Sequence, residues 1–345
     1  MDFTTNRAEF DAVLQYLIDE MTGYFKQIGL PSDAIKHVQE SFDTNVRNGK
    51  LFRGLSVPET GYILLERPLS VDEFHDLSIL GWLVEMLQAY LLVLDDIIDG
   101  SITRRNQICW YRRPEVGLTA INDACLIKSA VFFLLKNHFR THPSYLQMLE
   151  SFNEITILTE SGQEADAIAS REKCPGNWTL DQYRHITLLK GGYYCFYLSV
   201  LLGLQYLNLA TPLNMREAEA ILIPLGQFYQ FQNDFLDIFG HTSRTGKVGT
   251  DIQANKCSWV VIQALRICQD DRHDTMLEKY GRPEHKAAAE VDEIFQSLPL
   301  ARLYEREAEE VLGGLRKKIT NVNESEGLRK GIFELLTSMV HRLPN

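Results

Sequence analysis

Two short acidic segments contain the residues of this sequence most able to do chemistry. The first reads DDIID over residues 95–99, and the second reads NDFLD over residues 233–237. In each segment, positions four apart share one face of a helix, so their oxygen-bearing side chains point the same way. Such oxygens are ligands for hard cations such as Mg2+, which also binds the oxygens of a phosphate group. The two segments therefore predict a metal-dependent site for a diphosphate.

Basic residues accompany both acidic segments. Arg104 and Arg105 follow the first segment, and Lys247 and Lys256 follow the second. A further basic pair lies upstream in NGKLFRG, residues 48–54, where glycines allow the backbone to approach an anion closely. The forked donors of arginine match the oxygens of a phosphate. Because these cations lie nearby, we interpret the acidic segments as part of a site that binds a metal and a phosphate-bearing anion. A solvated helix end is the less favoured interpretation.

Two long apolar stretches must position the acidic segments, and both are predicted to be helices. Residues 79–94 carry a single charge, Glu85, and are too long for a typical strand. Residues 221–240 show the same apolar stretch with an acidic end, and Gly240 is predicted to terminate the helix. Carboxylates at a helix C-terminus face the negative end of the helix dipole, which costs roughly 0.3–1 kcal/mol each unless a cation compensates.

Helical periodicity over most of the chain predicts an all-α bundle. Stretches rich in Pro, Gly and Ser are short, and no linker divides the 345 residues, so a single domain over residues 1–345 is expected. Strand patterns are hard to find. Helices are predicted near residues 6–28, 33–47, 69–99, 117–140, 144–170, 179–207, 215–240, 251–270, 284–296, 299–321 and 325–342.

The composition limits which partners the protein can bind and in which cellular compartment it is expected. The formal net charge of -11 argues against nucleic acid, which demands a basic surface. Acidic residues near the N-terminus argue against a signal peptide, and Glu85 interrupts the best candidate for a membrane span. Six scattered cysteines without CxxC spacing suit reduced thiols. A cytoplasmic protein without a membrane span is therefore expected.

Six segments together resemble the trans-isoprenyl diphosphate synthases, most closely those of the farnesyl type, and the resemblance spans nearly the whole chain. It implies the all-α isoprenoid synthase bundle with a central active-site cavity, and it implies a homodimer. The segments that carry it are residues 49–57 (GKLFRGLSV), 87–114, 121–125 (INDAC), 162–166 (GQEAD), 188–197 (LLKGGYYCFY) and 231–259.

The resemblance implies a Mg2+-dependent prenyl transfer. Isopentenyl diphosphate would condense with dimethylallyl or geranyl diphosphate to give a prenyl diphosphate of about C15, with three Mg2+ ions drawing off the diphosphate. The metal ligands that it implies are Asp95, Asp96, Asp99, Asp166, Asn233, Asp234 and Asp237.

The resemblance also implies which residues contact the substrates. The allylic diphosphate or its metals would be contacted by Arg104, Lys190 and Lys247 and, less directly, by Gln163 and Asp166. Lys256, which follows the second acidic segment, is a further predicted substrate-binding residue. Isopentenyl diphosphate would be bound by Lys50, Arg53, Gln88 and Arg105. Lys190, Arg104 and the aspartates would promote ionisation, while Tyr194 and Gln230 would shape and polarise the cavity. Tyr90 and Leu91, about one helical turn before Asp95, would form the floor of the hydrocarbon pocket and limit product length.

Several residues depart from the pattern of that family. Asn233 replaces the first aspartate of the second segment, which removes one negative charge from a metal ligand. Gly191 replaces the hydroxyl residue that usually follows Lys190, and Leu94, Gly100 and Asn106 differ around the first segment. The chain also ends in MVHRLPN rather than a basic cluster. Two alternatives stay open: a terpene synthase that ionises and cyclises or hydrolyses a prenyl diphosphate, and a non-catalytic homologue.

Overall fold

The computed structural model describes residues 3–241 and 249–342, and it is almost entirely helical there. This confirms the predicted all-α class. The helices are α1 (Arg7–Gln27), α2 (Ser32–Asn45), α3 (Phe52–Leu65), α4 (Val71–Ile98), α5 (Ala120–Phe139), α6 (Tyr145–Ala169), α7 (Leu180–Thr187), α8 (Leu198–Tyr206), α9 (Pro212–Phe239), α10 (Trp259–Ile267), α11 (Asp271–Lys279), α12 (His285–Ser297), α13 (Leu300–Thr320) and α14 (Gly331–Arg342).

Helix α4 lies in the middle of the bundle and ends in the first acidic segment. It begins at a capping box, in which the Ser70 hydroxyl accepts from the Glu73 amide and the Glu73 side chain accepts from the Ser70 amide. From Leu77 to Val93 nearly every side chain is buried, and α4 packs against α1, α3 and α5. One connected set of buried apolar side chains extends from Phe10 to Val340.

The assignment of residues 1–345 to a single domain stays a prediction.

A short hairpin follows α4 and presents the two arginines. Strands β1 (Thr103–Arg104) and β2 (Gln107–Ile108) pair antiparallel. The two residues between the strand pairs, Arg105 and Asn106, have φ values of 54° and 62°. Positive φ at both central positions is typical of a type I′ turn, and Asn tolerates it better than most residues. The tight turn places Arg104 and Arg105 directly behind the end of α4.

A π-helical segment, Leu188–Tyr197, joins α7 to α8 and carries Lys190. It packs between α6 and α9, and two glycines allow the close approach. A Cβ on Gly162 would lie 2.3 Å from the Lys190 amide nitrogen, and a Cβ on Gly226 would lie 2.7 Å from the Gly192 carbonyl oxygen. Since real Cβ atoms do not approach other atoms this closely, both positions require glycine.

Two helices, α3 and α11, were not predicted, and two predicted boundaries are wrong. Helix α3 was not predicted, because it is buried on nearly all sides and therefore lacks an amphipathic period. The helix predicted over residues 251–270 begins only at Trp259, after a turn, and α11 follows it separately. The last helix begins at Gly331 rather than near residue 325.

Three helical stretches in the described residues could cross a membrane by length and composition alone. They are Val71–Ile98, Gly117–Phe139 and Leu180–Tyr206. Inside the fold, 78%, 44% and 72% of their most apolar windows are buried, so most of the apolar surface of the first and third is used in the core. The expectation that the chain has no membrane span stays a prediction.

Candidate active site

A cavity of about 830 Å³ brings most of the predicted site residues together. It lies between α3, α4, α6, the π-helical segment, α9 and the β1–β2 hairpin. Its wall contains residues from both acidic segments and from all the basic groups that the structure describes. The predicted residues that line it are Lys50, Arg53, Gln88, Tyr90, Leu91, Asp95, Asp99, Arg104, Arg105, Gln163, Asp166, Lys190, Tyr194, Gln230, Asn233, Asp234 and Lys256.

Two predicted metal ligands do not line the cavity, and one predicted cation lies outside the described residues. Asp96 is buried and accepts from Arg104 Nη2 at 2.6 Å. Asp237 Oδ2 accepts from the backbone amides of Thr250 and Asp251, both at 3.0 Å. In this structure both carboxylates therefore organise the walls behind the cavity. Lys247 belongs to residues 242–248, which the structure does not describe.

Two lysines lie between the carboxylates at the centre of the cavity. Asp166 Oδ2 accepts from Lys190 Nζ at 2.6 Å and from Lys256 Nζ at 2.7 Å. Lys190 also donates to Asp95 Oδ1 at 3.0 Å, and Lys256 Nζ lies 2.7 Å from Asp99 Oδ1. Because such charge-assisted contacts are short and strong, the two lysines hold three carboxylates from α4 and α6 in one cluster.

The pKa values of the cluster reflect this balance of charges. Burial raises the pKa of Asp95, but the nearby Lys190, Lys256 and Arg104 outweigh it, so the net pKa is lowered. Burial and the neighbouring Asp95 raise the pKa of Asp99 to about 6. Burial lowers the pKa of Lys190, but the carboxylates around it raise the net value well above normal. The cluster is therefore strongly charged and sensitive to any added cation or anion.

The donor set fits a hard cation that is shared with a ligand. Within residues 3–241 and 249–342, no three His, Cys, Asp or Glu side chains converge as a preformed metal centre. Mg2+ does not need one, because it binds through one or two carboxylates, several waters and substrate phosphate oxygens. Asp95 and Asp99 on one wall, with Asn233 and Asp234 on the other, supply only oxygen ligands to the same cavity. These residues fit Mg2+.

A second cationic group, around Arg53, also lines the cavity. The Arg53 guanidinium is 5% exposed and donates to Gln88 Oε1 at 3.1 Å and to the Tyr194 hydroxyl at 3.2 Å. It also lies 4.5 Å from the centroid of the Phe52 ring. Burial and the charge of Arg53 lower the pKa of Lys50. These cations are fixed in place next to a cavity, as an anion site requires.

Buried donors without protein partners lie beside both cationic groups. Arg53 Nε and Gln163 Nε2 are buried, and neither has a hydrogen-bond partner among the described residues. Both side chains line the cavity. A buried donor that lacks a partner is costly, so both atoms are suited to the oxygens of a bound diphosphate.

A model of the family described as polyprenyl synthetase matches residues 35–298 of the sequence. The chain belongs to the polyprenyl synthetase family. Farnesyl pyrophosphate synthase of Kluyveromyces lactis is 41% identical over 98% of this chain and 99% of its own length. Farnesyl pyrophosphate synthase of Schizosaccharomyces pombe is 38% identical over 99% of each. The predicted farnesyl-type prenyltransferase class is thereby confirmed.

Solved structures of polyprenyl synthetases share this fold. A Trypanosoma brucei farnesyl diphosphate synthase complexed with bisphosphonate BPH-721 aligns with a TM-score of 0.91 and 27% identity, over 98% of this chain and 99% of its own. The same enzyme complexed with risedronate aligns with a TM-score of 0.90. These similarities confirm the isoprenoid synthase bundle that the sequence implied.

Two residues that depart from the family pattern, Asn233 and Gly191, lie in the cavity wall and directly behind it. Asn233 lines the cavity, and its side chain partly offsets the rise that burial causes in the pKa of Tyr229. Next to it, Gln230 Nε2 donates to Asp234 Oδ1 at 2.8 Å. A Cβ on Gly191 would lie 3.5 Å from Gln230 Cβ, an ordinary contact distance. Gly191 therefore leaves unused room for a side chain, unlike Gly162.

Two charged residues beside Tyr90 were missed by reasoning from sequence. The Tyr90 hydroxyl donates to Glu160 Oε1 at 2.6 Å, and Lys128 Nζ donates to the same oxygen at 2.8 Å. Lys128 interrupts an otherwise apolar stretch, residues 124–135. Glu160 lies three residues before Gln163 on α6, so it shares a helix face with a predicted site residue. Both signals were present, but the pairing depends on the tertiary fold.

Proposed function

We propose that this protein is a Mg2+-dependent prenyl transferase that condenses isopentenyl diphosphate with dimethylallyl or geranyl diphosphate to give a product of about C15. The observation that carries this proposal is one cavity with two separate cationic groups in its wall. In one group, Lys190 and Lys256 are paired directly with carboxylates. In the other, Arg53 donates to the neutral side chains of Gln88 and Tyr194, and the buried carboxyl of Glu85 lies nearby. Two diphosphates, only one of which must leave, need these two different environments.

The allylic diphosphate is assigned to the carboxylate-rich end of the cavity. We assign three Mg2+ ions to Asp95, Asp99, Asp166, Asn233 and Asp234, with Asp96 and Asp237 supporting them from behind. Bound Mg2+ neutralises the charge that develops on the departing diphosphate. Arg104, Gln163, Lys190, Lys247 and Lys256 would donate hydrogen bonds to its oxygens. Preorganised donors of this kind cost no reorganisation as the charge develops.

Isopentenyl diphosphate is assigned to the end of the cavity around Arg53. Lys50, Arg53, Gln88 and Arg105 would hold its diphosphate. Arg105 is fixed for this role, since its Nη1 donates to the Asn45 carbonyl at 2.7 Å and its guanidinium packs against Gly49. This grip would direct the double bond of the substrate toward the ionised allylic carbon.

The middle of the cavity would keep water from the allylic cation. Tyr194 and Gln230 line it from the π-helical segment and α9. Burial raises the pKa of Tyr194, so its phenol stays neutral and available to shape and polarise the site. The released diphosphate can itself accept the proton that is lost after condensation, so a dedicated side-chain base is not required.

Replacement of a single carboxylate tests the proposed assignment. Asp95→Ala should abolish Mg2+-dependent release of diphosphate, with a loss of at least about 10³-fold in kcat. The matched control is Asp181→Asn on exposed α7, which should leave kcat unchanged. A variant Asp95→Ala that retains wild-type turnover at wild-type Mg2+ concentration would remove Asp95 from the metal site.

A second candidate function is supported by two departures from the family pattern. Asn233 supplies a neutral oxygen in the cavity wall where an aspartate is expected, and Gly191 leaves room for a side chain behind Gln230, which lines the cavity. Altered metal binding, with added room behind Gln230, could let the site fold a prenyl chain and cyclise it. Under this alternative, a terpene synthase would release a hydrocarbon or alcohol from geranyl or farnesyl diphosphate without isopentenyl diphosphate.

We also propose a cytoplasmic homodimer that binds no nucleic acid. Large apolar side chains are exposed on α5, on α6 and just before α5, which supports a subunit interface there. They are Leu118, Ile121, Leu146, Ile157 and Ile168. All six cysteines lie in the described residues and are free thiols, which supports a reducing compartment. Light scattering after gel filtration should give a mass twice that of the 39.6 kDa chain.

A further inference from the structure

Charged residues from two neighbouring helices hold the phenol of Tyr90. Tyr90 lies on α4, five residues before Asp95 and therefore about 7.5 Å along the helix from it. It is only 4% exposed and lines the cavity. Its hydroxyl donates to Glu160 Oε1 on α6 at 2.6 Å, and Lys128 on α5 donates to the Tyr90 oxygen at 3.2 Å. Three helices thus meet at one phenol.

The face of the Tyr90 ring is held as well as its hydroxyl. Lys128 Nζ lies 4.6 Å from the ring centroid, within the range of a cation–π contact. The same ammonium group donates to Glu160 Oε1 at 2.8 Å. Burial lowers the pKa of Lys128, but Glu160 and Tyr90 raise the net value; burial raises the pKa of Glu160, but Lys128 lowers the net value. Both groups are therefore ionised near neutral pH.

These contacts resist the one movement that would deepen the cavity. A hydrocarbon tail that grows past Tyr90 must push its ring aside, because protein interiors have little spare volume. Turning the ring breaks the hydrogen bonds from Tyr90 to Glu160 and from Lys128 to Tyr90. Bonds to ionised partners are stronger than neutral ones, so this tyrosine is harder to displace than one held by packing alone.

Building on the prenyl-transfer function proposed above, we propose that Lys128 and Glu160 are positioning residues that fix Tyr90 across the cavity and so set the product length. Lys128 does not line the cavity and Glu160 does, and both contact the Tyr90 hydroxyl, through which they would act. The aromatic side chain forms the floor, and the ion pair determines how firmly the floor stays in place. Loss of either charge should let the chain grow by a further isoprene unit.

Substitutions that remove one charge at a time test this proposal. Lys128→Met keeps the length of the side chain, and Glu160→Gln keeps its shape. With geranyl and isopentenyl diphosphates, each variant should raise the ratio of C20 to C15 product by about tenfold over wild type. Tyr90→Phe removes both hydrogen bonds and keeps the ring and its contact with Lys128, so it should raise the ratio by at least as much. Lys136→Met, two helical turns further along α5 on an exposed position, is the matched control and should not change the ratio.

A charge swap separates chain-length selection from simple stability. The contacts around Lys128 also tie three helices together, so each variant needs its melting temperature measured. The double variant Lys128→Glu with Glu160→Lys restores an ion pair beside Tyr90 and should return the product ratio toward wild type. Folded single variants with an unchanged ratio would overturn the proposal. The proposal would also be overturned if the double variant gave a ratio of C20 to C15 product as high as that of the single variants.

Binding of unreactive substrates distinguishes failure of this inference from failure of the proposed function. Thiodiphosphates with C15 and C20 chains can be titrated in the presence of Mg2+ by calorimetry. Wild type should bind the C15 compound more tightly than the C20 compound, and Lys128→Met should reduce that preference about tenfold. Absence of elongation by wild type would refute the proposed function alone. An unchanged C15 preference in Lys128→Met would refute the role of Lys128, whether or not elongation occurs.

Discussion

The Lys256 ammonium group lies 2.7 Å from the Asp99 carboxylate, although the two residues are far apart in sequence. The same lysine lies 2.7 Å from Asp166, so it bridges α4 and α6 at the centre of the cavity. Cations of the protein thus balance the carboxylates that would bind Mg2+. A diphosphate with its Mg2+ ions brings both signs of charge and can replace these internal ion pairs without leaving any group unpaired.

Lys256→Met should impair both stability and catalysis. The side chain of Lys256 is 10% exposed, so its loss removes the direct partner of the buried Asp99 and leaves only the more distant Lys190 to balance it, which should cost about 3 kcal/mol of unfolding free energy without Mg2+. The kcat/KM for geranyl diphosphate should fall roughly 10²–10³-fold. Denaturant unfolding and steady-state kinetics measure the two effects. The control Lys279→Met removes a more exposed ion pair with Glu290 and should cost under about 1 kcal/mol. If Lys256→Met had the kcat/KM of the wild type, the assignment of Lys256 to the allylic diphosphate site would be contradicted.

Asn233→Asp should strengthen Mg2+ binding. The added negative charge lies in the cavity wall beside Asp234, so the Mg2+ concentration for half-maximal activity should fall by about tenfold. Condensation should be preserved or raised. A Mg2+ titration of the elongation rate measures this, with Asn153→Asp on the exposed face of α6 as the control. Loss of a native activity in Asn233→Asp would mean that the asparagine is functional and that elongation is the wrong assignment.

Two glycines next to Lys190 should respond in opposite ways to substitution. A Cβ on Gly191 meets Gln230 Cβ at 3.5 Å, so Gly191→Ala should fold normally and gain about 0.5–1 kcal/mol in helix propensity. A Cβ on Gly162 would lie 2.3 Å from the Lys190 amide nitrogen, so Gly162→Ala should cost at least about 1–3 kcal/mol. Thermal unfolding of the two variants is a direct comparison. Equal melting temperatures would show that α6 and the π-helical segment do not pack as described.

Glu73 should make stability depend on pH at the start of α4. Its hydrogen bonds with Arg67 and with the Ser70 amide lower its pKa from 4.5 to about 2. Because the pKa is lower in the folded state, this stabilisation is present above about pH 4.5 and is lost as the pH falls toward 2. Glu73→Gln should therefore be less stable than wild type by about 1 kcal/mol at pH 7, and the difference should shrink below pH 4.5. The control Glu293→Gln, on an exposed position, should show no such trend.

The helices that carry the acidic segments could be predicted because their signals are local. α4 and α9 combine long apolar stretches with an abrupt acidic end, and the structure has both. α3 could not be predicted in this way. Gly54 of α3 packs against Gly81 of α4 so closely that a Cβ on Gly81 would lie 2.4 Å from the Gly54 carbonyl. A helix that is buried on all sides through glycine contacts shows no amphipathic pattern.

The sequence indicated which residues would line the cavity, but not which contacts they would make with one another. Residue types and spacing indicated the two acidic segments and the cations near them, and the family resemblance added Asp166 and Lys190. They could not indicate that Asp237 would accept from the backbone amides of Thr250 and Asp251, since that contact depends on how the chain returns after α9. The contact of Lys128 with Tyr90 likewise joins helices that meet only in the folded bundle.

Product analysis after incubation with Mg2+ tests the central claim most directly. One reaction contains geranyl and isopentenyl diphosphates, and parallel reactions contain geranyl or farnesyl diphosphate alone. Prenyl transfer predicts a C15 diphosphate in the first reaction, none when Mg2+ is chelated, and no hydrocarbon or alcohol in the others. A hydrocarbon or alcohol from geranyl or farnesyl diphosphate alone, without elongation in the first reaction, would contradict prenyl transfer and favour a terpene synthase.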